Sequence, residues 1–254
     1  MSWKVAASSV TGSSHANRGE NGQDFCRAGS FRIADSEYFI GVVADGAGST
    51  TDGGRGAEIA CDFLHASFLD ILRKDGDIAK ITDDTIRHRV AAARDTIAHE
   101  AGEKGKGLRD FACTLLGVVA GSGRALFFQI GDGAIVIHAE GTYQTVFWPE
   151  QGEYANTTFF LSDETFQDNL SIRQLDASPD EIALFTDGLQ NLALSFAQKQ
   201  AHAGFFQPLF TALRNDPASG FSDFAGQLER FLLRDDVSAR SDDDKTLVLA
   251  VQGC

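Results

Sequence analysis

Proline is scarce, at four in 254 residues, which excludes a Pro-rich stalk or linker. Cysteine is equally sparse: Cys26, Cys61, Cys113 and Cys254 are scattered, with no C-x-x-C pair and no Cys/His cluster at zinc-finger spacing. A structural zinc site is thereby set aside and a reducing compartment expected. Basic residues are outnumbered, 22 Lys and Arg against 36 Asp and Glu, for a formal net charge of −14. This disfavours nonspecific binding to nucleic acid or anionic lipid. No apolar run approaches the roughly 18 residues of a membrane span, and the first residues lack a charged segment followed by a long apolar one. The expectation is a cytoplasmic monomer without nucleic-acid or membrane partners. What the chain has in quantity is glycine, 26 residues, and phenylalanine, 20, within a 43% hydrophobic composition. That suits a sizeable core with tight turns, read as one domain over residues 1–254.

The order of patterns is informative. Tyr38 to Ala44 reads as a strand that ends in the turn Asp45-Gly46-Ala47-Gly48-Ser49. Helical stripes follow at Cys61, Leu64, Phe68 and Leu72 and at Ile86, Val90, Ala93 and Ile97. Short strand-like runs at 112–120, 125–130, 134–139 and 143–147, separated by Gly-containing turns, predict successive hairpins in an antiparallel sheet. Beyond an irregular stretch at 149–169, strands are expected at 171–175 and 181–186, helices at 191–200, 205–214 and 221–234, and a last strand at 246–251. Strands and helices come in blocks rather than in strict alternation. The fold class is therefore α+β with antiparallel sheets rather than a doubly wound parallel fold.

Acidic residues recur at strand ends: Asp24 in Gly22-Gln23-Asp24, Asp45 before Gly46, Asp187 before Gly188, and Asp243-Asp244 just before the last strand. A strand end is rigid and the following glycine permits close backbone approach, so such aspartates can converge on one hard cation. Without a cation they would repel one another. Oxygen ligands with no His or Cys at metal spacing point to Mg²⁺ or Mn²⁺.

The ordered set Gln23-Asp24, Val43-Ala44-Asp45-Gly46-Ala47-Gly48, Thr114-Leu115-Leu116, Gly131-Asp132-Gly133, Phe185-Thr186-Asp187-Gly188-Leu189 and Asp243-Asp244-Lys245-Thr246 resembles the PP2C-type (PPM) serine/threonine protein phosphatases, across nearly the whole chain. The resemblance implies a four-layer αββα sandwich, two antiparallel sheets flanked by helices, with two metal ions at one end. It implies metal ligation by Asp45, the Gly46 carbonyl, Asp187 and Asp243, with Asp24 supporting the site and Asp110 helping to bind a third ion. It further implies hydrolysis of phosphoserine or phosphothreonine by a metal-activated water, Asp45, Asp187 and Asp243 serving catalysis. Where many members carry an arginine before the first Asp this chain has Gly19, so Arg18 and His15 become the candidates for holding the substrate phosphate. Ala47 stands where some eukaryotic members have a histidine. The segments Gly12-Ser13-Ser14-His15 and 156–161 resemble a bacterial subgroup that accompanies a kinase, which implies a phosphoprotein made by a partner serine/threonine kinase.

Plainer readings stand beside these. Any one Asp-Gly can simply start a turn, Asp242 to Asp244 can be a solvated acidic stretch or edge-strand guard, and Asp244 is the alternate ligand by register. Asp132 reads as a structural residue in a tight hairpin turn, the phenylalanine stripes as core, and 149–169 as a candidate flap. Two rival functions are a partner-binding regulatory domain of the same fold with weak or no turnover, and a noncatalytic interaction domain that binds calcium structurally.

Overall fold

Between Ser36 and Asp45 the side chains divide by parity. Tyr38, Ile40, Val42 and Ala44 enter one hydrophobic cluster, Phe39 and Val43 another. A run that looks uniformly apolar is thus a strand buried on both faces. The same division holds near the C-terminus, where Leu247, Leu249 and Val251 face one core and Val248 and Ala250 a second. Such strands need cover on both sides, which two sheets packed face to face with helices outside supply.

The computed structural model describes residues 2–149, 158–217 and 222–253. In chain order the elements are β1 (Trp3–Val10), α1 (Ser13–Ala16), β2 (Asp24–Ile33), β3 (Ser36–Asp45), α2 (Gly53–Asp75), α3 (Asp83–Glu103), β4 (Leu115–Gly121) and β5 (Arg124–Ile130). They continue with β6 (Ala134–Ala139), β7 (Thr142–Thr145), β8 (Ser171–Leu175), β9 (Glu181–Phe185), α4 (Gln190–Ala193), β10 (Leu194–Ser195) and β11 (Gln200–Ala201). The last are α5 (Ala203–Asn215), α6 (Ser222–Leu232), α7 (Asp235–Ser238) and β12 (Lys245–Gln252). One antiparallel sheet runs in the order β2-β3-β4-β5-β8 and the other in the order β1-β12-β9-β6-β7.

Their inner faces meet through Phe39, Val43, Leu116, Phe127, Leu184 and Val248. The expected stripes of α2 and α3 cover the outer face of the first sheet, where Phe68 packs on Phe128 with ring centroids 5.5 Å apart. Phe206, Phe210 and Leu213 of α5, with Phe224, Leu228 and Leu232 of α6, cover the outer face of the second. The architecture is the four-layer αββα sandwich. Among the described residues no helix is long and apolar enough to cross a membrane.

Three expectations change. The runs from 112 to 147 are not one series of hairpins, because β5 and β6 lie in different sheets and the chain crosses between them at Gly131-Asp132-Gly133. Gly131 has φ +96°, and a methyl there would lie 2.7 Å from the Thr114 side chain, so glycine is required by both conformation and space. The helix expected over 191–200 stops at Ala193, since Leu194 and Ser195 pair with Ala201 and Gln200 in a small hairpin. Finally, β1 and β2 are strands that the apolar pattern does not announce. Of the expected irregular stretch, 149 and 158–169 hold no helix or strand, and 150–157 lies outside the described residues.

Candidate active site

The site grows from the matching ends of the two sheets. In the first, β2 begins at Asp24 directly opposite Asp45, where β3 ends. In the second, β9 runs out into Thr186 and Asp187 while β12 starts at Lys245 after Asp243 and Asp244. Hydroxyls join the two ends: Thr186 Oγ1 and Thr246 Oγ1 each donate to Asp24 Oδ2 at 2.8 Å, and the Thr246 amide donates to Thr186 Oγ1 at 3.0 Å. On the other side the Asp45 amide donates to Thr114 Oγ1 at 3.0 Å, and the Thr114 amide donates to the Asp45 carbonyl at 2.8 Å.

The glycines that follow these aspartates act by letting backbone meet backbone. A methyl on Gly188 would sit 2.0 Å from the Asp244 carbonyl oxygen, and one on Gly46 would sit 2.2 Å from the Gly53 carbonyl carbon. Gly12 is seated in the same way, its would-be methyl 2.2 Å from the Asp243 carbonyl carbon. The Asp-Gly pattern is therefore a packing device that draws separate loops into one centre.

Asp45, Gly46, Asp187, Asp243, Asp132 and His15 all line a basin of about 200 Å³ at this end of the sandwich. Asp24 lies beneath it, 9% exposed. Burial, followed by the charges of Asp244 and Asp187, pushes the Asp24 carboxyl up to about 7 despite its two threonine donors. Burial and then the charges of Asp132 and Asp243 raise Asp187 to about 7 as well. Asp45 is driven well above the ordinary carboxylate range by burial and by Asp24, Asp187 and Asp243. Oδ1 of Asp24 and Oδ1 of Asp187 are buried without any hydrogen-bond partner. Buried acceptors that repel one another and lack donors are costly in a bare protein. They suit a hard divalent cation, so the oxygen-only donor set fits Mg²⁺ or Mn²⁺.

The structure separates the two adjacent aspartates. Asp244 is 2% exposed and fully engaged: Oδ1 accepts the Gly12 amide at 2.7 Å and Oδ2 accepts the Gln23 amide at 2.6 Å. Asp243 is the one that faces the basin. Two other candidates stand apart from it. Arg18 is half exposed and paired with Glu20 at 2.7 Å, and Asp110 accepts the Gly107 amide at 2.9 Å within its own turn; neither lines the basin.

Two residues enter that the sequence reading does not count among the candidate site residues. Asp132, read there as a turn residue, puts its carboxylate at the basin, where it accepts from Thr158 Oγ1 at 2.7 Å. Its Gly131-Asp132-Gly133 setting after β5 shares the strand-end grammar of the other aspartates, which is the signal that could have found it. Lys245 is 2% exposed, its Nζ donates to the Asp243 carbonyl at 2.8 Å, and burial pulls its ammonium below the usual lysine value.

Residues 11–232 match the family model described as Protein phosphatase 2C. Serine/threonine-protein phosphatase 3 of Escherichia coli (strain K12) is 34% identical over 252 residues, covering 99% of each chain. Among solved structures, the serine/threonine phosphatase Stp1 from Staphylococcus aureus aligns with a TM-score of 0.65 at 16% identity, over 99% of this chain and 95% of that one. The catalytic domain of the serine/threonine protein phosphatase PstP, solved in complex with two manganese ions, aligns with a TM-score of 0.62 at 17% identity, over 100% of this chain and 99% of that one. At such identities the structural likeness is one of fold.

Proposed function

This chain belongs to the protein phosphatase 2C family and is a protein serine/threonine phosphatase, and from that premise we propose that it hydrolyses phosphoserine or phosphothreonine in a phosphoprotein with two Mg²⁺ or Mn²⁺ ions held at the basin. Asp45, Asp187 and Asp243, with the Gly46 carbonyl, would hold the ions, and Asp24 would support them from beneath. Divalent ions held by these residues would supply Lewis acidity and a more acidic water for attack on phosphorus. The single observation that carries this reading is the convergence of four carboxylates, Asp45, Asp132, Asp187 and Asp243, on one basin, with buried oxygens left unpartnered at Asp187 and Asp24.

The chain's own part is to fix those oxygens. Thr186 and Thr246 orient Asp24, Lys245 anchors the Asp243 backbone, and the seated glycines hold the three loops at a set separation. Such preorganisation keeps the groups that meet developing charge from having to rearrange during the reaction. The domain spans residues 1–254 and acts as a monomer in the cytoplasm on a substrate phosphorylated by a partner serine/threonine kinase. Asp110, which caps its own turn outside the basin lining, would help to hold a third ion.

The test is phosphate release from a phosphothreonine peptide with Mn²⁺, with Mg²⁺ and with chelator, beside Asp45→Asn, together with calorimetric titration of Mn²⁺. Metal-dependent release and metal uptake, both lost in Asp45→Asn, are expected. Release that persists in chelator would refute the metal-dependent reading.

A further inference from the structure

The chain passes from the first sheet to the second at Gly131-Asp132-Gly133, between β5 and β6. Every carbonyl of this crossover is held by a glutamine side chain. Gln129 Nε2, near the end of β5, donates to the Gly131 carbonyl at 3.0 Å and to the Gly133 carbonyl at 2.9 Å. Gln190 Nε2 donates to the Asp132 carbonyl between them. Gln129 is 4% exposed, so its amide is shielded from competing water. Gly133 is seated too: a methyl there would lie 2.8 Å from the Leu116 side chain and 3.0 Å from the Phe185 carbonyl oxygen. A connection between strands needs few such restraints, whereas a side chain that must sit at a set place needs many.

Asp132 is what these restraints place. Its carboxylate lines the basin with Asp45, Asp187 and Asp243. Oδ2 accepts from Thr158 Oγ1 at 2.7 Å, and among the described residues nothing donates to Oδ1. Gln190 directly follows the Asp187-Gly188-Leu189 turn, so its bond ties Asp132 to the loop that carries Asp187. On the other side Gly131 packs on Thr114, whose hydroxyl accepts the Asp45 amide. The crossover is thereby braced against the loops of two candidate ligands. Asp132 also acts on Asp187 through its charge: after burial, it is the largest cause of the raised Asp187 carboxyl, ahead of Asp243.

We infer that Asp132, held in place by Gln129 and Gln190, is a further oxygen ligand for the divalent cations of the basin. The inference rests on the metal-dependent phosphatase reading above and enlarges its ligand set; Gln129 and Gln190 are positioning residues. An octahedral ion such as Mg²⁺ takes six oxygens and keeps water where the protein supplies none. Asp45, Asp187, Asp243 and the Gly46 carbonyl leave such positions on two ions, and a fourth carboxylate on the same basin can take one. The rival role is a latch, in which Asp132 only holds the segment at Thr158. The two roles differ in what they need, since a latch needs an acceptor, which asparagine keeps, and a cation needs the carboxylate.

The experiment titrates Mn²⁺ by calorimetry into the full chain as wild type, Asp132→Asn, Gln190→Met, Gln129→Met and the double variant Asp132→Asn with Gln190→Met. It also reads the melting temperature of each in chelator and phosphate release from a phosphothreonine peptide. Asp132→Asn should weaken Mn²⁺ binding about ten- to hundredfold, and each glutamine variant about tenfold. Because Asn removes a charge beside Asp187, the chelated protein should melt no lower than wild type. The double variant should bind as Asp132→Asn alone does, within about twofold, since Gln190 acts through Asp132. Mn²⁺ affinity of Asp132→Asn within about twofold of wild type, losses that add in the double variant, or a chelated melting temperature that falls along with the affinity would overturn the inference. If Asp132→Asn loses Mn²⁺ affinity but wild type releases no phosphate from the peptide, the ligand role stands and the phosphatase reading falls. If wild type turns over with Mn²⁺ and Asp132→Asn binds Mn²⁺ as tightly, the reverse holds.

Discussion

Thr186→Val removes one hydroxyl and almost no volume. That hydroxyl donates to Asp24 Oδ2 at 2.8 Å and accepts the Thr246 amide at 3.0 Å, in a residue 1% exposed. A hydrogen bond to a charged group contributes about 1.5–3 kcal/mol, and a buried amide left without an acceptor costs about 1–3 kcal/mol. Asp24 keeps its second donor, Thr246 Oγ1, so the lower ends of both ranges apply and the expected loss is about 2–4 kcal/mol. The loss depends on pH, since Asp24 titrates near 7 in the metal-free protein. At pH 8 the hydroxyl serves a carboxylate; at pH 5.5 it serves a neutral carboxyl, and the loss should shrink by about 1 kcal/mol. Urea unfolding of the chelated protein at both pH values, followed through the buried Trp3, measures it. A loss under about 0.5 kcal/mol at pH 8, or one equal at the two pH values, would show that Asp24 does not depend on this hydroxyl.

Gly188→Ala puts a methyl 2.0 Å from the Asp244 carbonyl oxygen, and because that neighbour is backbone the strand-end loops must part; Mn²⁺ affinity by calorimetry should fall at least tenfold, and wild-type affinity would contradict the packing argument. Asp24 and Asp187 have folded pKa values of about 7 against 3.8 unfolded, so their protonated forms stabilise the fold fully below about pH 4 and lose that effect as pH rises through about 7. The melting temperature of chelated protein should therefore fall from pH 5 to pH 8 and the slope should flatten in Asp187→Asn; a rising melting temperature would reverse the sign of the argument. Phe128→Ala empties a site 1% exposed between Phe68 and Gly117, so unfolding should show a loss of about 3–5 kcal/mol, and under about 1 kcal/mol would mean that the neighbours close the gap.

The central strands and long helices were legible because burial leaves a simple trace. Both faces of β3 and β12 are buried, which writes continuous apolar runs, and α2 and α3 each bury one stripe, which writes a period near four. Besides the short β10–β11 hairpin, the strands that escaped are β1 and β2, each pairing on one side only. An edge strand can carry Ser8 and Ser9, or Arg27, Ser30 and Arg32, without cost, so its pattern is diluted. The assignment of β5 and β6 to different sheets was not legible either, because a Gly-Asp-Gly turn is compatible with a hairpin or a crossover and only the partner strands decide. The same limit applies within the basin. Asp243 and Asp244 are identical in type, and what distinguishes them is the pair of amides from Gly12 and Gln23, more than 200 positions away, that occupy Asp244.

The meeting of two hydroxyls on Asp24 has a mechanical meaning. Thr246 lies in one sheet, Thr186 just past its strand β9 and Asp24 in the other sheet, so this carboxylate acts as a rivet between two slabs whose facing cores are greasy and without direction. Apolar faces tolerate sliding, whereas hydrogen bonds of 2.8 Å do not. Slip of one slab over the other and loosening of the centre are therefore a single event, and whatever tightens the carboxylates at that end also locks the register of the whole sandwich.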